Sequence, residues 1–312
     1  KNKSRGVFGL EEYHGKDIYL TEAHTIEMNA EIKKAVDEKK PFFAYMSHYA
    51  VHAPFNPDPR FAANYAEKKI SKNAKAFATM IEGMDKSLGD MLDHLEKLGV
   101  AENTIVFFLG DNGSDAPLGP THAIACAAPL RGKKGTHYEG GMRVPFIAGW
   151  AKPDKNNALQ KALPIPAGVL SSEKGTICDL FPTILKLAGI THKGKIDGAD
   201  LSKALTGGSL GRDFSFLMHF PHSHRSSYYT AYHEGDWKLV YHYNRPAETR
   251  YELFNLAKDR TEAKNLATEE PGHLHRMATA PDGALKDAGA LYPSAKKEPG
   301  KKLLPVVPAK GS

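Results

Sequence analysis

The most informative stretch of this chain is residues 129–145, which read PLRGKKGTHYEGGMRVP. The stretch combines a basic cluster, four glycines and one acid, and it ends at a proline. A hydrophobic core does not select so many charged residues, and a plain surface loop does not need so many flexible positions. We therefore interpret it as a functional loop whose backbone can approach an anion closely.

Just upstream, residues 104–113 read TIVFFLGDNG. The apolar run at 104–109 has no alternation, which is typical of a strand covered on both faces. Asp111 and Asn112 then present a carboxylate and an amide oxygen at the end of that strand, and calcium and magnesium take such oxygen ligands. Two ligands are too few for calcium, and from the dipeptide alone an Asx turn is favoured over a metal site.

Hydrophobic periodicity predicts three helices and one further strand around this pair of segments. Apolar residues at helical spacing indicate helices over 22–36, 74–98 and 175–189, and the aromatic run 42–46 predicts a buried strand. Strands joined by helical crossovers favour a mostly parallel α/β sheet, with ligands beyond the carboxyl ends of the strands. His48 and His52 follow strand 42–46 and would reach the same edge as Asp111.

The composition changes after residue 211. Short aromatic runs separated by turn-forming residues predict a small antiparallel sheet over 212–270, and 271–312 is interpreted as a helix followed by a Lys- and Pro-rich tail. Residues 1–211 would then form the larger α/β domain.

Overall composition narrows the classes of function. The chain has 312 residues, a net charge of +6 and a hydrophobic content of 41%, and no apolar run approaches the length of a membrane-spanning helix. The basic excess lacks the motifs of nucleic-acid-binding proteins, so we expect an anionic substrate rather than nucleic acid. Two cysteines, Cys126 and Cys178, cannot form a four-thiolate zinc site.

The two segments quoted above resemble the sulfatase family of the alkaline-phosphatase-like superfamily. The resemblance implies the superfamily's α/β fold with a smaller C-terminal antiparallel-sheet subdomain, and a calcium site to which Asp111 and Asn112 contribute half of the ligands. It also implies that Lys134, the lysine directly before Gly-Thr, contacts the sulfate, and that His52 binds the sulfate or protonates the leaving oxygen. Lys133 stands where the family has glycine. The His-rich stretch 218–225, including His222, could line the substrate site.

The family's nucleophile is a formylglycine made from a Cys/Ser-x-Pro/Ala-x-Arg motif, and no such motif occurs in this sequence. Around Cys126 the arginine is one residue too far along, and Cys178 is interpreted as a buried small hydrophobe in a helix. The aspartates that complete the calcium site are also missing. We therefore expect a fragment whose partner is the missing N-terminal segment of the same protein.

The resemblance implies hydrolysis of a sulfated substrate, which we expect to be a carbohydrate, by a secreted or periplasmic parent enzyme, although the chain shows no signal peptide. A phosphodiester or phosphonate monoester hydrolase of the same superfamily is the enzymatic alternative. The non-enzymatic alternative is a catalytically inactive protein that binds sulfated sugars. Glu139 and Arg143 are expected to form a structural pair.

Overall fold

The computed structural model describes residues 7–115, 127–224, 226, 228–295 and 298–310. Within this part of the chain the contacts separate two compact units. The first contains residues 7–108 and Ile147–Ala167, and the second contains residues 109–115, 127–146 and 168–310. The predicted boundaries after residues 211 and 270 stay predictions.

The helices of the described residues are α1 Leu20–Asp37, α2 Lys72–Lys97, α3 Glu139–Met142, α4 Ala158–Ala162, α5 Leu180–Leu187, α6 Ser202–Leu205 and α7 Pro271–Asp287. The strands are β1 Ile105–Leu109, β2 Phe146–Trp150, β3 Ser215–Phe220, β4 Tyr229–Glu234, β5 Trp237–His242, β6 Tyr251–Asn255, β7 Ser294–Ala295 and β8 Glu298–Lys302.

The first unit is organised by the two long helices that the sequence predicts. Ser71 caps α2 by accepting a hydrogen bond from the amide of Ala74, and the apolar faces of α1 and α2 meet around Ile32 and Leu95. Both side chains are buried. These two helices therefore confirm the periodicity argument to within a few residues at each end.

Strand β1 also forms as predicted, and it pairs with β2. The flanking bonds, from Ala151 N to Thr104 O and from Gly110 N to Pro145 O, show that the two strands run antiparallel. All five residues of β1 retain some exposure, and Phe108 is 36% exposed. The expected cover on both faces is therefore not provided by the described residues.

The prediction of a strand at 42–46 is wrong for the described part of the chain. The segment has no regular secondary structure and pairs with no described strand, and Phe43 and Tyr45 are 71% and 74% exposed. An apolar aromatic run indicates that a segment would be buried if it formed a strand. A strand also needs a hydrogen-bonded neighbour, and no described segment supplies one here.

The second unit contains the antiparallel sheet that the aromatic runs predict, with strand order β3-β4-β5-β6. Adjacent strands pair in register, for example Tyr232 with Leu239 and Leu239 with Leu253. Helix α7 covers one face of this sheet, where Met277 packs on Leu239 and Leu253. A smaller cluster on Val240 lies on the other side of the strands.

Asp179 is the N-cap residue of helix α5. Its carboxylate accepts hydrogen bonds from the amides of Thr176 and Ala199 and pairs with Arg212. Cys178, one residue earlier, is exposed. The expectation that Cys178 is buried is therefore wrong, because it lies in the 3-10 turn before α5 and not on the apolar face of the helix. Among the described residues, no helix combines the length and apolarity required to cross a membrane.

Candidate active site

Two loops of the second unit lie side by side, the one that follows β1 and the glycine-rich loop that precedes β2. The amide of Lys134 donates to the carbonyl of Ser114 at 2.9 Å, and the amide of Gly113 donates to the carbonyl of Gly141 at 3.0 Å. These bonds connect the segment that carries Asp111 and Asn112 with the segment that carries Lys134. The sequence predicted that these segments share one site, and their backbones are indeed neighbours.

The glycines of the two loops are required by this close approach. A Cβ atom at Gly113 would overlap the carbonyl oxygen of Gly140, and one at Gly141 would lie 2.6 Å from the carbonyl oxygen of Lys133. Real Cβ atoms do not come so close to backbone oxygens, so glycine is needed at both positions. The density of glycines seen in the sequence thus reflects packing between loops as well as flexibility.

Asp111 and Asn112 lie directly beyond β1. The Asp111 side chain is exposed and Asn112 is half-buried, and the Asn112 amide nitrogen donates to the Asp111 carboxylate. That bond uses the Asn112 amide nitrogen and one carboxylate oxygen, so the Asn112 oxygen and the second Asp111 oxygen are the candidate ligand atoms. A carboxylate and an amide oxygen suit calcium, which takes six to eight oxygen ligands, and these two residues fit as part of such a set.

Lys134 lies in a tight turn of the glycine-rich loop. Gly135 adopts a positive φ of 79°, and the Thr136 hydroxyl donates to the Lys133 carbonyl at 2.8 Å. These features fix the backbone on either side of Lys134, whose side chain is half-buried. The loop therefore fixes the backbone from which the Lys134 side chain extends.

The loop after β3 adjoins the glycine-rich loop. The Ser226 amide donates to the Gly135 carbonyl at 2.9 Å, and the Tyr228 amide donates to the carbonyl of His222 at 3.0 Å. His222 itself is exposed, with its ring 5.3 Å from the ring of Phe220. The predicted substrate residue His222 and Lys134 are thus carried by neighbouring loops.

His52 belongs to the first unit. Its side chain is exposed, and its Nδ1 lies 2.7 Å from the carbonyl oxygen of Ala53. The competing candidate, His48, is half-buried, and burial, assisted by His24, lowers its pKa. The catalytic role of His52 stays a prediction.

A buried ionic cluster in the second unit was not predicted from the sequence. Lys238 is fully buried, and its Nζ donates to Glu139 at 3.0 Å and to Glu262 at 2.7 Å. Arg143 pairs with Glu139 at 2.8 Å, as the sequence indicated. Burial tends to raise the pKa of Glu139, but the ammonium of Lys238, together with the nearby His233 and Arg143, lowers it below its usual value.

The other carboxyl of the cluster titrates differently. Burial raises the pKa of Glu262, and Lys238 offsets only part of that rise. Glu262 also accepts from the amide of Glu139 at 2.7 Å, at the first residue of the short helix α3. The cluster of Lys238, Glu139 and Glu262 therefore anchors the end of the glycine-rich loop to the C-terminal sheet.

The sulfatase family model matches residues 6–190 of the chain. A sulfatase of Formosa agariphila is 31% identical over 284 residues, which cover 82% of this chain and 47% of the relative. The N-acetylgalactosamine-6-sulfatase of Canis lupus familiaris is 35% identical over 193 residues, 61% of this chain and 33% of the relative. The chain thus spans about half or less of the length of the curated relatives it matches.

The fold is also found in solved structures. The crystal structure of Ps i-CgsB, determined both alone and in complex with k-i-k-neocarrahexaose, superimposes with a TM-score of 0.71 at 26% identity, over 85% of this chain and 55% of that one. The α/β architecture with a smaller antiparallel C-terminal sheet is shared with such neighbours. The chain belongs to the sulfatase family.

Proposed function

We propose that this chain is the part of a sulfuric ester hydrolase that carries the anion-binding loop and half of the calcium site. The observation that carries the proposal is the hydrogen bond between Lys134 N and Ser114 O, because it joins the two loops on which the proposed site residues lie. Membership of the sulfatase family supports the same assignment.

Each of the chain's own residues has a defined role in this proposal. Asp111 and Asn112 would hold calcium through their side-chain oxygens, and bound calcium would polarise the sulfate and stabilise its negative charge. Lys134 would offset charge on the sulfate oxygens as a point charge on a fixed loop. His52 would donate a proton to the departing alcohol oxygen.

The nucleophile is assigned to a segment outside this sequence. A formylglycine on the N-terminal part of the same protein would supply it, together with the remaining calcium ligands. This segment is therefore the proposed partner of the chain, and we propose a secreted or periplasmic location for the parent enzyme.

We propose a sulfated carbohydrate as the substrate. Two similar proteins support this class by their names alone: the canine relative is an N-acetylgalactosamine-6-sulfatase, and Ps i-CgsB was solved with k-i-k-neocarrahexaose. The exposed ring of His222, on the loop that adjoins the Lys134 turn, is proposed to contact the sugar.

The test uses the intact enzyme with its nucleophile and compares Lys134→Ala with Lys133→Ala. Loss of one charge-stabilising donor typically costs about 10²- to 10³-fold in kcat, so we expect such a loss in aryl sulfate turnover for Lys134→Ala. Lys133→Ala should lose far less. Equal losses in the two variants would remove the assignment of Lys134.

The same assay separates the alternatives. Faster turnover of aryl phosphate diesters or phosphonate monoesters than of aryl sulfates would favour the phosphodiester or phosphonate hydrolase. Binding of sulfated sugars without sulfate release by the intact protein would favour the inactive binding protein.

A further inference from the structure

Three side chains of the second unit form a buried cluster that the proposed reaction does not use. His137 lies on the glycine-rich loop, His242 ends β5, and Glu252 belongs to β6. Glu252 Oε2 lies 3.3 Å from His137 Nε2 and 2.5 Å from His242 Nε2. The two histidines are each 3% exposed and Glu252 is 9% exposed.

The surrounding residues orient these three side chains towards one another. Ser226 Oγ lies 3.0 Å from His137 Nδ1, so the Nε2 of the same ring faces Glu252. Tyr138 donates to Glu252 Oε1 at 3.0 Å, which leaves Oε2 for the histidines. Outer hydrogen bonds of this kind fix the ring orientation of histidines that bind metals.

His137 Nε2 is buried and has no hydrogen-bond partner among the described residues. Glu252 Oε2 lies 3.3 Å away but outside hydrogen-bond geometry, so this buried ring nitrogen is costly unless something else binds it. Because the ligand atoms of all three side chains lie within 4.8 Å of one another, a single ion could contact all of them.

The distances are those of a site that needs a small adjustment. Ligand atoms about 2.0 to 2.1 Å from a tetrahedral zinc ion lie roughly 3.3 Å from one another. The His137–Glu252 separation already has this value, whereas His242 would move away from Glu252 by somewhat less than 1 Å. Arg245 also competes for Glu252 Oε2, at 3.3 Å, but its side chain is 39% exposed and can turn to solvent.

We propose that His137, His242 and Glu252 bind a divalent transition-metal ion of the zinc class. Two imidazoles and one carboxylate are a ligand set that zinc takes, with the fourth position left for water. Because His137 lies three residues after Lys134, the ion would fix the anion-binding loop to strands β5 and β6. The proposal is independent of sulfate hydrolysis and of the calcium site.

The test is a titration of the metal-stripped intact protein with Co²⁺, in a buffer whose excess Ca²⁺ occupies oxygen-ligand sites. We expect the visible absorption of low-symmetry Co²⁺ to saturate at one equivalent and to be displaced by Zn²⁺. Glu252→Gln and His242→Gln should each weaken binding at least about tenfold. The control His14→Ala removes an exposed histidine and should leave the titration unchanged.

A further variant separates a metal site from a hydrogen-bonded cluster of the same residues. Arg245→Gln removes the competing cation and is expected to tighten Co²⁺ binding, whereas a purely structural cluster would bind no metal in either form. Circular dichroism establishes that each variant is folded. Absence of a Co²⁺ signal in the folded wild type, or the same affinity in wild type, Glu252→Gln and His242→Gln, would overturn the proposal.

Discussion

Replacement of Lys238 by methionine tests how the buried ionic cluster stabilises the second unit. The variant keeps most of the side chain's volume but removes a charge that is fully buried between Glu139 and Glu262, whose side chains are 4% and 0% exposed. Two carboxylates would then remain buried without their common partner. Breaking a buried ion pair on one side typically costs about 3 to 5 kcal/mol, and we expect a loss of this size in the free energy of unfolding.

The measurement is urea unfolding followed by far-ultraviolet circular dichroism, with the free energy obtained by linear extrapolation. The triple variant Glu139→Gln, Lys238→Met, Glu262→Gln is the matched control, because it removes all three charges together. Replacing a whole buried ion cluster by neutral groups is often close to neutral, so most of the lost stability should return. A single variant within about 1 kcal/mol of wild type, or a triple variant no more stable than Lys238→Met, would refute the reasoning.

Three further predictions concern the loops and the buried histidines. Gly113→Ala should destabilise the protein and weaken sulfate-analogue binding, because its Cβ would overlap the Gly140 carbonyl. The control Gly89→Ala, where a Cβ has no atom within 4 Å, should be neutral or stabilising. Thermal unfolding of the two variants measures the difference. Burial lowers the pKa of His137 to about 4 and that of His233 to about 3, so below about pH 6.5 the unfolded chain binds more protons than the folded chain. The free energy of unfolding should therefore fall as the pH is lowered from 6.5 towards 4. His233→Gln should flatten that dependence, which urea titrations at several pH values will show, and an unchanged slope would contradict the assignment. Thr136→Ala removes the hydroxyl that is hydrogen-bonded to the backbone of Lys133, which loosens the Lys134 turn without removing the charge. In the intact enzyme it should therefore raise KM for an aryl sulfate more than it lowers kcat.

Helices and the C-terminal sheet could be predicted because their signals are local. Apolar residues of α2 repeat at helical spacing over about seven turns, and the aromatic runs of β3 to β6 are separated by turn-forming residues. Strand 42–46 could not be judged in the same way, because an extended apolar segment becomes a strand only when a neighbour pairs with it. Its side chains show hydrophobicity but carry no information about that neighbour.

The candidate site shows the same difference between local sequence signals and partners that are remote in the chain. The motif pattern led to Asp111, Asn112 and Lys134, and the backbone bonds between their loops agree with a shared location. Lys238 and Glu262 were missed because their partners are remote, with Lys238 and Glu139 separated by 99 positions in the chain. One signal was available: a lysine within the otherwise apolar strand β5 must find a buried counter-charge. His137 gave no comparable signal, since its partners come from three separate segments.

The central claim is that the Asp111–Asn112 segment and Lys134 serve one oxyanion. The most direct measurement is a crystal structure of the intact enzyme grown with Ca²⁺ and a non-hydrolysable sulfate-ester analogue. The account predicts Ca²⁺ bound by side-chain oxygens of Asp111 and Asn112, and one sulfate oxygen within hydrogen-bond distance of Lys134 Nζ. Ca²⁺ bound elsewhere, or a sulfate group that contacts neither loop, would contradict it.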